Sequence, residues 1–136
     1  VNELSAIKNG ANTLLDWGEK GFVPVEHSVA QARSDVCSKS HKNKRCPYNE
    51  KKTIDFTSPA AAAIKSHIES KNAMKLSVDG EENLKVCMIC RCWLPLKVWT
   101  PMETLLACTP VEVLNDFKVK WPKCWMITEN QTPALP

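Results

Sequence analysis

Only four glycines, three histidines and one tyrosine occur among the 136 residues. No window holds an apolar run of the roughly 20 residues that a membrane-spanning helix needs, so no membrane partner is expected. Four scattered glycines cannot assemble a phosphate-cradling loop, and G-x-S-x-G, the P-loop, H-E-x-x-H and the dinucleotide fingerprint are all absent. Hydrolase and nucleotide-binding chemistry therefore have no motif to rest on, and a non-enzyme is expected. The opening Val1-Asn2-Glu3 lacks the basic and apolar regions of a secretory leader, which makes a reducing cytoplasm the expected compartment. Disorder is disfavoured as well, because 43% hydrophobic residues, 24% charged residues and a mean hydropathy of -0.29 are those of a globular chain. At this length a folded monomer hides about two thirds of its unfolded surface, enough for one core, and a single domain over residues 1–136 follows.

What the chain does have is cysteine, at positions 37, 46, 87, 90, 92, 108 and 124. A disulfide framework fits poorly: seven is odd, no leader is visible, and cysteines one or two residues apart rarely bridge without strain. Reduced thiols with a use are the better expectation. The net charge of +3 is small, but residues 39–52 concentrate Lys39, Lys42, Lys44, Arg45, Lys51 and Lys52 against Glu50 alone. Such a run is usually a solvated face, and it is also what a phosphate contact requires.

Apolar positions Leu4, Ile7, Ala11, Leu14 and Leu15 recur at helical spacing and predict a helix over Glu3–Trp17, stopped by Gly18 and Gly21. Val25, Val29, Ala32 and Val36 predict a second helix running into Cys37. Ser58 as N-cap and Pro59 at N1 open a third, buried along Ala61, Ile64 and Ile68 and ending near Asn72. A short acidic helix is expected over Asp79–Leu84, and a short strand over Leu94–Trp99, where Leu96, Val98 and Trp99 cluster. Thr100-Pro101-Met102-Glu103 and Thr109-Pro110-Val111-Glu112 read as capping boxes opening two further short helices. The expected fold is mostly α: a small helical domain with a cysteine-knuckle metal-binding corner and at most a short β-hairpin. Within it, residues 1–72 form a helical part with a basic cysteine loop, 73–127 the knuckle part, and 128–136 a surface tail.

Cys87-Met88-Ile89-Cys90 is a C-x2-C knuckle, with Cys92 two residues on and Cys124 as a remote partner. A structural Zn(II) takes four sulfur or nitrogen ligands and typically ties such a knuckle to a distant segment, so Cys87, Cys90, Cys92 and Cys124 are the candidate ligands. Extended residues 90–92 would hold their side chains about 6.6 Å apart, against roughly 3.8 Å between sulfurs on one zinc. A sharp bend is therefore required, and a four-iron four-sulfur (4Fe-4S) cluster, which accepts the spacing more readily, stays open as the alternative. Cys37, His41 and Cys46 can close a second site or complete the first. Cys108 reads as a buried free thiol. Cys37 with His27 or His41 lacks a visible orienting third group for nucleophilic catalysis, and the knuckle lacks the βαβ context of a thioredoxin-type redox site. Tryptophans 93, 99, 121 and 125 flank the cysteines and are expected to cover the metal, with Trp93 and Trp99 the pair to test at an interface.

The run Cys87-Met-Ile-Cys90-Arg-Cys92-Trp-Leu-Pro-Leu-Lys97-Val98-Trp99-Thr-Pro101, closed by Trp121-Pro-Lys-Cys124-Trp125, resembles small cysteine-rich proteins of undefined role encoded by tailed bacteriophages. The resemblance extends to Val36-Cys37, Cys46-Pro47-Tyr48-Asn49 and Ser58-Pro59-Ala60-Ala61. In the pattern it resembles, the first cysteine pair is C-x2-C-P-x-N, whereas eight residues separate Cys37 from Cys46 here. The resemblance implies a phage context, with other phage structural proteins as partners and a chain that passes from host cytoplasm into the tail, neck or baseplate of a virion. The competing reading is a zinc-dependent nucleic-acid-binding regulator, with Lys42, Lys44 and Arg45 on phosphates.

Overall fold

The computed structural model describes residues 12–13, 15–43, 46–50, 58–90 and 92–129. Most of the expected first helix lies outside that set. Residues 15–19 are helical, Trp17 is fully buried, and the chain then turns through Gly21 at φ 89° and Phe22 at φ 54°. Gly21 is needed there because a left-handed φ is strained for residues with a Cβ.

Helix α1 spans His27–Asn43, six residues beyond the expected end at Cys37. Its buried stripe is Ala30, Arg33, Ser34 and Cys37, whereas the expected stripe member Ala32 is exposed. The face is turned by about one position because two polar side chains on it have partners. Ser34 Oγ donates to the carbonyl of Asp79 at 3.4 Å, and Arg33 reaches Glu129 and two further carbonyls. A buried polar group costs little once it is satisfied, so apolarity alone misplaced the face.

Strand β1 (Asn49–Glu50) pairs antiparallel with β2 (Val86–Cys87) in the register Asn49↔Cys87 and Glu50↔Val86. The pair joins segments far apart in sequence. Buried Asn49 locks it: its amide donates to the carbonyls of Cys37 (3.3 Å) and Asn83 (2.8 Å), and its side-chain oxygen accepts from the Lys85 N–H at 2.7 Å. Helix α2 covers Ser58–Asn72, as the sequence predicted, and buries Ile68 completely. The expected acidic helix is a single 3-10 turn, Glu81–Asn83, entered through Gly80 at φ 82°.

The segment expected as a strand is instead helix α3 (Leu94–Lys97), with all four residues buried. Trp93 is its last extended residue, bridging to Val86, and Pro95 fixes a helical φ just inside the helix. Helices α4 (Met102–Cys108) and α5 (Val111–Lys120) follow as expected, but not by capping boxes. Pro101 and Pro110 occupy the N-cap positions, and neither makes a side-chain cap bond. The threonine hydroxyls point backwards, Thr100 donating to the Leu96 carbonyl (3.3 Å) and Thr109 to that of Leu105 (2.6 Å). They finish the preceding helix rather than start the next one. Helix α6 (Trp125–Thr128) and Glu129 end the described chain: the expected surface tail opens on exposed Thr128, still helical, its second residue Glu129 is tied to Arg33, and residues 130–136 lie outside the described set.

The architecture is mostly α, with one two-stranded antiparallel sheet among the described residues. Most buried apolar residues form one cluster running from Trp17 to Ile127 and including Cys37, Cys87, Cys90, Cys92 and Cys124; Cys46 is buried beside it. Among the described residues, no helix is long and apolar enough to cross a membrane.

Candidate metal centre

The knuckle sits at the tip of a tight hairpin. The N–H of Cys87 donates to the carbonyl of Cys92 at 3.0 Å, that of Leu94 to Lys85 at 2.9 Å, and that of Met88 across to Tyr48 at 2.7 Å. The first of these bonds brings Cys92 back beside Cys87. Cys87, Cys90 and Cys92 are all buried, and the Cys90 sulfur is in side-chain hydrogen-bond contact with both other thiols.

The second half of the cluster arrives from elsewhere. Cys37 projects from α1, and the chain leaves and returns so that the N–H of Cys46 donates to the carbonyl of Cys37 at 2.9 Å. That bond closes the eight-residue excursion between them, so the longer spacing does not separate the two cysteines. Cys124, the N-cap of α6, lies near enough to act electrostatically on Cys37 and Cys87. Cys37, Cys46, Cys87 and Cys124 all line one cavity of about 10 Å³, walled by Tyr48, Phe117, Trp121 and Trp125. This is close to the least space that holds one water-sized particle. The Trp125 indole N–H donates to the Cys37 sulfur at 3.4 Å.

Lys97 stands at the junction of the two halves, and it is the residue that reasoning from spacing passed over. It is 4% exposed, and its ammonium donates to Cys90 Sγ at 3.0 Å, 4.9 Å from the Phe117 ring centre and 5.0 Å from that of Trp125. The signal was present as the single charge inside Leu94-Pro-Leu-Lys-Val-Trp99, next to the knuckle. Burial pushes the Cys90 thiol up, but hydrogen bonds from Cys87 and Cys92 and the charge of Lys97 outweigh it and hold Cys90 well below the usual thiol range. The hydrogen bond to Cys90 and then burial hold Cys87 and Cys92 well above it. Burial pushes Cys37 up to about 12 and Cys124 up to about 11. Burial also opposes the Lys97 charge, and the sulfurs of Cys90, Cys87, Cys92 and Cys124 more than restore it. The arrangement favours the anionic form of one sulfur, through a cation and two neighbouring sulfurs, and the protonated form of the buried sulfurs around it.

As the side chains stand, no group of three or more Cys, His, Asp or Glu among the described residues surrounds an ion position. The sulfurs hold one another through protons, and metal loading would require thiols to lose those protons and turn about χ1. Thiolates are the ligands that zinc and iron–sulfur clusters take, so the donor set fits either group chemically.

The other candidate residues are placed as follows. The side chains of His41 and Lys42 and the whole of Lys44 and Arg45 lie outside the described residues. Trp99 is fully buried and therefore belongs to the core, not to an interface; its carbonyl accepts from the Val25 N–H at 3.0 Å. Trp93 is half-buried and borders a shallow cleft with Lys65, Glu81 and Pro95. Cys108 is half-buried rather than core, its thiol directed at the Asn12 carbonyl at 3.7 Å, because the short helix α4 buries Thr104 and Leu105 instead. His27 faces the Trp99 ring at 5.9 Å, while the indole of Trp125 engages the Cys37 sulfur. No family model, curated protein or solved structure matches this chain.

Proposed function

We propose that this chain is a non-enzymatic, metal-stabilised interaction domain. Zn(II) on Cys87, Cys90, Cys92 and Cys124 ties the knuckle hairpin to the last helix, and the outer helical faces contact protein partners. The observation that carries this reading is the burial of Lys97 among thiols. An ammonium taken out of water needs a counter-charge, and its hydrogen bond goes to sulfur, so the corner is built to carry negative sulfur. Thiolates gathered this way in a small domain supply what a metal cross-link needs, and such a link stands in for core that a short chain lacks. The resemblance of the cysteine pattern to small phage proteins directs the partner search to phage structural proteins, with incorporation into a virion after synthesis in host cytoplasm.

The test is elemental analysis with a visible spectrum on the full chain purified without oxygen. Bound zinc and no colour is the expected result. Iron with acid-labile sulfide, and visible absorbance that bleaches on reduction, would replace zinc by a 4Fe-4S cluster. A fully folded chain carrying no metal would overturn the reading.

A further inference from the structure

Six cysteines fall into two overlapping sets of four. Cys87, Cys90 and Cys92 share the hairpin tip, with Cys124 close enough to Cys90 to act on it electrostatically. Cys37, Cys46, Cys87 and Cys124 line the cavity. Cys87 and Cys124 belong to both sets.

Building on the metal-binding reading above, we infer that the cluster holds two divalent ions of the zinc type. Cys87 and Cys124 bridge them, Cys90 and Cys92 complete one ion, and Cys37 and Cys46 complete the other. The number of donors fits: two tetrahedral ions need eight metal–sulfur bonds, which four terminal and two shared thiolates supply. Two divalent ions on six thiolates leave a net charge of about -2, which the buried Lys97 ammonium reduces to about -1.

The placement of Cys37 and Cys46 supports the second ion independently of the knuckle. The backbone bond between them holds their Cα atoms together across the excursion of residues 38–45. The Trp125 N–H directed at the Cys37 sulfur is the kind of outer hydrogen bond that steadies a metal-bound thiolate. Loading involves no electron transfer: each thiol still protonated gives its proton to solvent as a metal–sulfur bond replaces the S–H bond. The second ion would tie α1 to both the hairpin and α6, linking the two halves of the chain.

The experiment is an anaerobic titration of the metal-free full chain with Co(II), followed through thiolate-to-cobalt absorbance, alongside the zinc content of the protein as purified. The expected end point is two equivalents in both measurements. Saturation at one equivalent would overturn the paired site and leave the single-ion reading standing; no binding at all would overturn both. Cys46→Ser is expected to halve the bound metal, and retention of two ions by this variant would remove Cys46 from the ligand set. Because the end point is read on the unmodified chain, poor folding of the variant does not weaken the test.

Discussion

Two buried cations lie against the same indole. The Arg33 guanidinium sits 4.5 Å from the Trp125 ring centre, and the Lys97 ammonium 5.0 Å from it. Their surroundings differ in kind. Arg33 donates through Nε (2.9 Å) and Nη2 (3.0 Å) to the two carboxylate oxygens of Glu129, and through Nη1 to the carbonyls of Val98 (3.1 Å) and Thr100 (2.7 Å). That corner is complete within the folded chain, with a carboxylate partner and fixed carbonyl acceptors. Lys97 instead faces sulfur, whose charge depends on whether a proton, a metal or neither is attached. One corner is therefore closed by the fold alone, and the other is closed by what the thiols hold.

The strongest way to break this comparison is to strip the chain of the proposed metal. Apparent binding free energies of structural zinc, about 10–16 kcal/mol in small peptides, match or exceed the net stability of a typical domain. Chelation, or Cys124→Ser, is expected to unfold the C-terminal half at about 37 °C and to collapse the near-UV circular dichroism of the tryptophans there, with a metal-free fold persisting only near 10 °C. An unchanged spectrum and melting temperature after complete metal removal would mean that the thiols close the corner without it. Arg33→Met, measured by denaturant unfolding of the loaded chain, is expected to cost about 3 kcal/mol, because it strands two carbonyls and a partly buried carboxylate. Bound metal is expected to stay the same in that variant. Lys97→Met should do the reverse, lowering metal affinity about 10- to 100-fold, as loss of an outer-shell partner does, with a smaller effect on the metal-free chain, where the Cys90 thiolate can simply take up a proton. Competition against a chromophoric chelator reads the affinity directly.

The pH dependence separates the two states of the sulfur corner. In the metal-free fold, Cys37 and Cys124 stay protonated up to about 12 and about 11, while the same thiols ionise near 9.0 in the unfolded chain. Above that value the folded state binds more protons, so stability falls as pH rises, by about 1.4 kcal/mol per pH unit for each such thiol. Cys90 has the opposite sign: its depressed value contributes stability that is present above the usual thiol range and lost on acidification. With two resolved values raised and Cys87 and Cys92 raised as well, the net expectation is alkaline loss. Metal binding inverts it, because ligation requires deprotonated thiols and strengthens with rising pH. Denaturant unfolding from pH 7 to 11 near 10 °C, with and without zinc, should give stabilities that diverge; parallel pH dependences would remove metal from the account of this corner.

The sequence made the helices readable wherever local chemistry decides them. Ser58-Pro59 and the alanines opened α2 where expected, and the prolines at 101 and 110 marked the starts of α4 and α5. What it concealed were decisions made by distant partners. Arg33 and Ser34 turned α1 by about a position because Glu129, Val98, Thr100 and Asp79 supply their bonds from more than 40 residues away. The apolar run Leu94–Trp99 read as a strand because its period is too short to judge, and only the fold reveals that a helical turn directs Lys97 at Cys90. At the candidate centre, C-x2-C spacing identified Cys87 and Cys90 locally. The proximity of Cys37 and Cys46 depends on a backbone hydrogen bond that no spacing rule contains.

The smallest expected effect comes from the basic run, and it tests which partner class the domain serves. Cys37 and Cys46 anchor the ends of the excursion that carries Lys42, Lys44 and Arg45, and the anchoring bond is between backbone groups. If the run is the solvated face its sequence suggests, changing all three residues to Ala should leave metal content unchanged and stability within about 0.5 kcal/mol. If the run contacted phosphates, the wild-type chain would bind duplex DNA with an affinity that falls steeply with salt, and the triple variant would flatten the log–log slope by about 2.7. A protein-binding domain predicts neither the steep slope nor the change. Measuring affinity for a mixed-sequence duplex between 50 and 200 mM salt, roughly the span over which such contacts are lost, decides between them, because a metal-held core is common to both readings and only the charge run separates them.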